Sequence, residues 1–352
     1  MREIKYKQAI LEATDQCLAA DPTVYLMGLG VPDPKGIFGT TVGLHEKYGP
    51  KRVMDMPTSE NGMTGIAIGS ALVGFRPVMT HQRVDFVLLA LDQIINNAAK
   101  WHYMFNGQMK VPLVIRIIIG RGWGQGPQHS QSLQSVFAHV PGLKVVMPAT
   151  PHDAKGLLVS AIEDDNPVIY LEHRWLHETF GPVPEEIYRT PIGKAHTVKE
   201  GKDVTLVANS YMTLEAIRAS DLLTRENISA EVIDLRTVKP LDVPAIIDSI
   251  KKTGRLIVAD GAWKTLGLAS EILAVVSEQA HGSLKAAPAR ITFPDHPTPT
   301  SWALSVHYYP GAVDIVNAVL RMMGKKEKTE EELGILRDHH RDVPDKHFTG
   351  PF

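Results

Sequence analysis

The stretch that decides the fold is RVMDMPTSENGMTGIAIGSALVGFRPV, residues 52–78. Small residues recur through its middle, among them Gly62, Gly65 and Gly69. They predict a helix over residues 61–74 that packs very closely on a neighbouring backbone. A strand over residues 76–80 follows at once, after only a short turn. A helix between strands is typical of an α/β architecture.

The same alternation extends in both directions from this stretch. Toward the start we expect a helix over residues 4–19 and a strand over 23–31; toward the end, a helix over 86–103 and strands over 112–119 and 168–172. The strand at 112–119 has almost continuous β-branched residues, as in a sheet covered on both faces. Thr150 followed by Pro151 predicts an N-cap and the first residue of a further helix.

A second domain is predicted because a chain of 352 residues is long for one core. Apolar periodicity fails between residues 173 and 189, where Gly181, Pro182 and Pro184 cluster as in a linker. Strands and helices then alternate again. The predicted fold is α/β with two doubly wound domains, residues 1–185 and 186–323, and a charged tail over 324–352. For that tail we favour a solvated segment over a partner-binding arm.

Composition excludes several classes of protein. A net charge of -2 gives no basic face for nucleic acid or an anionic membrane. No apolar run approaches a membrane span or a signal sequence. Cys17 is the single cysteine, so an intramolecular disulfide is excluded and a buried, inert thiol is expected rather than a reactive one. We therefore expect a cytoplasmic protein.

Two polar segments could carry chemistry. Glu60 stands before the glycine-rich helix, where a carboxylate can be a helix cap or a functional group. His129 lies in GQGPQHSQS, residues 124–132, a polar loop after a buried strand. It is a candidate acid, base or hydrogen-bond donor, because imidazole titrates near neutrality. On the residues alone, both alternatives stay open for each side chain.

Several familiar catalytic motifs are absent from the sequence. It has no Walker A motif, no G-x-S-x-G, no H-E-x-x-H and no C-x-x-C. P-loop, serine hydrolase and zinc chemistries therefore lack their residues. RGWGQG, residues 121–126, is only loosely similar to a phosphate-binding loop, and we interpret it as a mobile loop.

Read together, several long segments resemble one family, the beta chains of pyruvate, branched-chain and acetoin dehydrogenase complexes in the transketolase-like thiamine superfamily. The resemblance covers about residues 1–323, and its marks are the opening stretch, DQIINNAAKWHYMFNGQ, VPLVIR, QHSQSLQSVFAHVPGLKVVMPATPHDAKGLL, IEDDNPVIYLEH and VIDLRTVKPLD. It implies a transketolase-like pyrimidine-binding domain followed by a transketolase carboxyl-terminal domain.

The resemblance also assigns roles to particular residues. Glu60 matches the carboxylate that hydrogen-bonds the aminopyrimidine ring of thiamine diphosphate, and so has a catalytic and a cofactor-binding role. Phe86 matches the aromatic residue that packs against that ring, and Gln82 a polar neighbour. His129 matches the active-site histidine that contacts the substrate carboxylate and helps proton delivery to a lipoyl group. Leu113, Ala161, Asp164 and Asn166 match a potassium site found in several members.

A motif that this chain lacks points to a partner. Thiamine enzymes hold the diphosphate through Mg²⁺ on a G-D-G motif followed by an asparagine, and no GDG occurs here. The resemblance places that half on a separate alpha chain, with two alpha and two beta chains as the working unit. It also implies a beta–beta dimer and a lipoyl acyltransferase core that docks on the second domain.

The chain departs from the family pattern at three places. Leu29-Gly30 replaces a common acidic pair, and Arg116-Ile117-Ile118-Ile119-Gly120 replaces R-G-P-x-G. Where the family commonly reads E-x-Q-F-x-D-F, this chain reads Thr80-His81-Gln82-Arg83-Val84-Asp85-Phe86. We hypothesise that Arg83 or His81 adapts the pocket to a more anionic 2-oxoacid. The alternative is that Arg83 pairs with a carboxylate such as Asp85 or one on a partner chain.

The expected function is therefore oxidative decarboxylation of a 2-oxoacid with acyl transfer to a lipoyl group, as one subunit of an oxidoreductase. Acetoin cleavage by the same cofactor and transketolase-like ketol transfer are alternatives within this chemistry. A non-catalytic family member kept for assembly or binding is the alternative outside it.

Overall fold

The structure is a computed structural model that describes residues 1–120, 124–335, 339–340 and 343–344. The first half alternates strands and helices as expected. Its strands are β1 (Glu3–Lys5), β2 (Val24–Gly28), β3 (Val53–Met54), β4 (Arg76–His81), β5 (Val114–Ile119), β6 (Lys144–Val146), β7 (Val168–His173) and β8 (Phe180–Pro182). Its helices are α1 (Tyr6–Ala20), α2 (Leu44–Tyr48), α3 (Glu60–Leu72), α4 (Val84–Val87), α5 (Ala99–Met104), α6 (Gly126–His129), α7 (Gln134–Ala138) and α8 (Pro151–Glu163).

The second half repeats the alternation. Its strands are β9 (His196–Lys199), β10 (Val204–Ala208), β11 (Ala230–Asp234), β12 (Thr237–Lys239), β13 (Leu256–Trp263) and β14 (Ala289–Phe293). Its helices are α9 (Ser210–Arg225), α10 (Val243–Thr253), α11 (Leu268–Ala280), α12 (Trp302–Ser305) and α13 (Ala312–Met322).

Two main sheets form the cores. Within the described residues the larger sheet has the order β12-β6-β7-β5-β4-β2-β3, and β12 alone is antiparallel to its neighbour. The second has the order β14-β13-β10-β11-β9, with β9 antiparallel to β11. Every residue of β5 is buried, because helices cover both faces of the larger sheet. Both halves are therefore α/β units, as predicted.

The helix start at Thr150 has the predicted chemistry. Its hydroxyl accepts a hydrogen bond from the Asp153 amide at 3.1 Å, and Pro151 is the first helical residue. The single helix expected over residues 86–103 is wrong. After α4 the chain forms a 3₁₀ turn at Leu88–Ala90, a π-helical segment at Gln93–Ala98 and then α5. Polar side chains in this segment bond one turn back, as Asn97 Nδ2 does to Gln93 Oε1 at 3.1 Å. π-helical segments occur mostly as short interruptions of α-helical stretches, and the sequence pattern does not show them.

The boundary between the halves is less clean than the sequence suggests. β8 lies in the segment predicted to be a linker, yet it pairs with β1. β12 belongs to the second half of the sequence but extends the first sheet. Arg236 links the two halves at this point. Its carbonyl accepts from the Met147 amide at 2.8 Å, and its Nε donates to Asp153 Oδ2 at 2.9 Å. A boundary at residue 185 stays a prediction.

The charged tail is not simply solvated, and that expectation is wrong for its first part. Leu333 is 5% exposed and packs in the apolar core of the second half, with Ile335 against it. Asn317 and Lys328 exchange two hydrogen bonds of 2.9 Å between side chain and backbone. The charged residues of the tail dominate its sequence pattern, so the pattern did not indicate that these two apolar residues pack in the core. Residues 336–338, 341–342 and 345–352 of the predicted tail lie outside the described residues.

In the described part of the chain, each helix is too short or too polar to cross a bilayer.

Candidate active site

The predicted site residues meet at one edge of the larger sheet. β2, β3, β4 and β5 run parallel, so their carboxyl ends lie along the same edge. Glu60 follows β3, Gln82 and Phe86 follow β4, and His129 follows β5. In open α/β sheets this edge is where ligands bind. The fold thus brings together residues that are up to 69 positions apart in sequence.

Glu60 is the first residue of α3 and is 6% exposed. The N-cap of α3 is Ser59, and the described residues give the Glu60 carboxylate neither a hydrogen-bond nor an ion-pair partner. Glu60 is thus not the N-cap of α3, and its carboxylate remains available to a hydrogen-bond donor on a ligand.

His129 ends the short helix α6 and is held by the segment that begins α4. Its Nδ1 lies 2.7 Å from Asp85 Oδ2, and its ring centroid is 5.7 Å from that of Phe86. The His129 side chain is 40% exposed, whereas that of Asp85 is 12% exposed. A carboxylate that accepts from Nδ1–H orients the ring and leaves Nε2 available to a ligand. The sequence indicates Asp85 only as a partner for Arg83. The aspartate of the F-x-D-F pattern is the signal that could have indicated its contact with His129.

Phe86 and Gln82 complete this edge. Phe86 is 41% exposed, so its ring presents an accessible aromatic surface next to His129. Gln82 Nε2 donates to the Leu29 carbonyl at 3.2 Å, which ties the loop after β2 to the end of β4. The departure at Leu29-Gly30 is thus part of the same edge. Residues 121–123, the start of the expected mobile loop, lie outside the described residues.

His81 and Arg83, the two unusual residues of this segment, are both buried. Burial lowers the pKa of His81 to about 4, so its imidazole is neutral near pH 7 and adds no positive charge to the pocket. Arg83 Nη1 donates to the His129 carbonyl at 3.2 Å. Burial, and then the nearby Arg174, lower the pKa of Arg83 to about 10, so it remains a cation. The Asp85 Oδ2 atom contacts His129.

The four positions of the predicted potassium site cluster at the start of β5 and the end of α8. The Leu113 carbonyl accepts from the Val168 amide at 2.9 Å, and that of Ala161 from the Asp164 amide at 3.3 Å. The Asn166 amide donates to Asp164 Oδ1 at 2.9 Å. Carbonyl oxygens have a second lone pair, so these groups could still bind a monovalent cation. Lys144 Nζ, however, already contacts Asp164 Oδ2.

This chain is similar to known proteins over most of its length. The transketolase pyrimidine-binding domain matches residues 2–178, and the transketolase C-terminal domain matches residues 193–315. The beta subunit of acetoin:2,6-dichlorophenolindophenol oxidoreductase of Cupriavidus necator is 42% identical to this chain, over 92% of this chain and 98% of that subunit. The pyruvate dehydrogenase E1 component subunit beta of Rickettsia bellii is 40% identical, over 91% and 98%.

This chain belongs to the 2-oxoacid dehydrogenase E1 beta-subunit family. As an E1 beta chain it is one subunit of an oxidoreductase, and its family implies dependence on thiamine diphosphate and an alpha partner. Among solved structures, a split-gene transketolase described as an inactive beta4 tetramer has a TM-score of 0.74 and 25% identity, and the match covers 92% of the E1 beta chain and 99% of the transketolase chain.

Proposed function

We propose that this E1 beta chain supplies the proton-handling half of a site that decarboxylates a 2-oxoacid and passes the acyl group to a lipoyl arm. The single observation that carries the proposal is Glu60, a buried carboxylate at the carboxyl edge of a parallel sheet whose hydrogen-bonding capacity is unused among the described residues. The ring nitrogen of an aminopyrimidine can share a proton with such a carboxyl group: it accepts from the neutral acid, and it donates to the carboxylate once it is itself protonated.

In this proposal Glu60 holds a proton against the ring nitrogen of the cofactor's aminopyrimidine. Phe86 packs against the ring, because its aromatic face is accessible. Gln82 orders the loop after β2 at the same edge. Thiamine diphosphate would supply an electron sink for the pair of electrons that decarboxylation leaves.

His129 acts on the substrate side. Asp85 accepts from Nδ1–H and fixes the ring, so Nε2 can hydrogen-bond the substrate carboxylate and later exchange a proton with the lipoyl sulfur. The short helix alone does not orient the His129 ring, so the ring needs a hydrogen-bond partner such as the Asp85 carboxylate. Asp85 is therefore proposed as a positioning residue.

The diphosphate and Mg²⁺ would be held by the alpha chain, because this sequence has no GDG motif. Exposed apolar side chains on α3, α5 and the 3₁₀ turn at Leu88–Ala90 support contacts with the alpha chain and a second beta chain; they include Ile66, Leu89, Tyr103 and Met104.

Two further parts of the proposal rest on the resemblance, and a third, the location, rests on composition. A potassium ion would bind at Leu113, Ala161, Asp164 and Asn166, where the start of β5 meets the end of α8. A lipoyl acyltransferase core would dock on the second domain. The assembly would be cytoplasmic.

Acetoin cleavage is the second candidate, favoured by the relative that is 42% identical and is named for acetoin. Both candidates need Glu60, and they differ in the carbonyl compound that is cleaved. The substrate therefore has to be identified by experiment.

The test is carbon dioxide release from a panel of 2-oxoacids, and acetaldehyde release from acetoin, by the co-expressed alpha–beta pair. Glu60→Gln should lower kcat on the order of 10²–10⁴-fold, because the carboxylate is the proton-handling group. Glu163→Gln, which removes an exposed carboxylate paired with Arg189, is the control and should leave kcat unchanged. A Glu60→Gln pair as active as the wild type would refute the proposed role.

A further inference from the structure

The side chain of Arg83 connects the loops around the proposed site. It stands between β4 and α4 in an extended backbone conformation and is 6% exposed. Its Nη1 donates to the His129 carbonyl at 3.2 Å. Two positions further on, Asp85 holds the His129 ring through Nδ1. One short segment thus holds both the backbone and the ring of this histidine.

A cation suits this position. The His129 carbonyl is at the end of the four-residue helix α6, where a carbonyl has no partner in the helix. A charged guanidinium is a stronger hydrogen-bond donor than a neutral group, and burial strengthens the bond further. The phenylalanine that the family commonly has here could not make this bond.

Arg83 also contacts the loop that follows β2. Its guanidinium carbon lies 5.9 Å from the centroid of the Phe38 ring, and that of Arg174 lies 4.5 Å from the same ring. Phe38 has a positive φ of 50°, a conformation that a residue with a side chain rarely adopts. The loop is anchored two residues later, where Thr40 accepts from the buried Arg116 at 2.9 Å.

We infer that Arg83 is a positioning residue that fixes His129 for catalysis by joining the loops after β2, β4 and β5. The inference rests on the proposed function, since it assumes that His129 acts on the substrate. It differs from the hypothesis that Arg83 selects a more anionic 2-oxoacid, because it assigns the guanidinium to a backbone carbonyl and an aromatic ring of the protein itself. Substitution should therefore change kcat and leave the order of preference among substrates unchanged.

The test compares variants of the co-expressed alpha–beta pair. Arg83→Met should lower kcat roughly 10–100-fold, as expected for the loss of a charged hydrogen bond, with KM changed less than about threefold. Arg83→Lys should retain most of kcat, because an ammonium can donate to the same carbonyl. Arg189→Met removes an arginine whose side chain is 51% exposed and should change neither kcat nor KM.

Two further measurements separate positioning from a merely structural role. The Arg83→Met and Asp85→Asn double variant should be no more than about threefold slower than Asp85→Asn alone, because both residues act through His129. On the isolated beta chain, hydrogen exchange should become faster in peptides covering residues 126–132 and 36–42 of Arg83→Met, and should be unchanged in Arg189→Met.

The outcomes are distinguishable. A wild-type pair without activity, or His129→Ala with wild-type kcat, would refute the proposed function and this inference with it. Wild-type kcat in Arg83→Met, when His129→Ala is inactive, would overturn the inference alone. Changes in KM that reorder the substrates, or equal losses in Arg83→Met and Arg83→Lys with unchanged hydrogen exchange, would also overturn it.

Discussion

Asp234 makes the stability of the second half depend on pH. This carboxyl ends β11 and is completely buried. Its Oδ1 accepts from Thr213 Oγ1 at 3.2 Å and from the Arg236 amide at 3.1 Å, while its Oδ2 has no hydrogen-bond partner within the described residues. Burial, followed by the charge of Asp153, raises the pKa of Asp234 from 3.8 to about 7. The folded state therefore holds this proton more tightly than the unfolded state does.

A raised pKa in a carboxyl destabilises the folded protein as the pH rises. The unfolded carboxyl ionises near pH 4 and the folded one near pH 7, so stability falls between these values. At 1.36 kcal/mol per pKa unit, the full penalty above pH 7 is at most about 4 kcal/mol. Roughly half of it has already developed at pH 5.5, so about 2 kcal/mol should be lost between pH 5.5 and 8.5.

Asp234→Asn removes the charge and keeps an oxygen that can accept the same two hydrogen bonds. Urea unfolding at pH 5.5 and 8.5, at one protein concentration, should show that the wild type loses about 2 kcal/mol more than the variant over this range. Asp221→Asn, with a side chain that is 64% exposed, is the control and should follow the wild type. Parallel pH dependences for wild type and Asp234→Asn would refute the reasoning.

Three other predictions test the packing. Leu333→Ala should lower the free energy of unfolding by about 2–5 kcal/mol, whereas Leu304→Ala, at a residue that is 63% exposed, should change it by less than about 0.5 kcal/mol; equal effects would mean that the tail does not pack. Burial raises the pKa of Cys17 to about 12, so iodoacetamide at pH 8 should label it only after unfolding, and rapid labelling of the native chain would contradict this. Gly142→Ala, whose Cβ would lie 1.9 Å from a backbone oxygen, should reduce the yield of folded protein well below that of Gly74→Ala, which has a similar positive φ and open space; similar yields would contradict the close approach.

Local sequence patterns predicted most of the elements. Strands such as β5 and helices such as α3 carry their signals in adjacent residues, and Thr150 with Pro151 marked a helix start that the structure has. The predictions failed where long-range contacts decide. β12 joins the sheet of the other half through Arg236, and Leu333 packs in a core built by α9 and α13. A local sequence pattern does not indicate which distant part of the chain such residues will contact.

The candidate site likewise has residues that local patterns could indicate and long-range contacts that they could not. Glu60 and His129 could be selected because a carboxylate and an imidazole follow predicted strands, and the resemblance added Gln82 and Phe86. The contacts of Asp85 and Arg83 with His129 could not be predicted, because each joins residues 44 or 46 positions apart. The sequence predicts Asp85 only as a carboxylate that pairs with Arg83.

The most direct test of the central claim is calorimetric binding of thiamine diphosphate with Mg²⁺ to this chain alone, to the co-expressed alpha–beta pair, and to the pair with Glu60→Gln. A split site with Glu60 on the pyrimidine side predicts binding by the pair, little or none by the beta chain alone, and weaker binding by the Glu60→Gln pair. Tight binding by the beta chain alone, or unchanged binding after the Glu60→Gln substitution, would contradict the account.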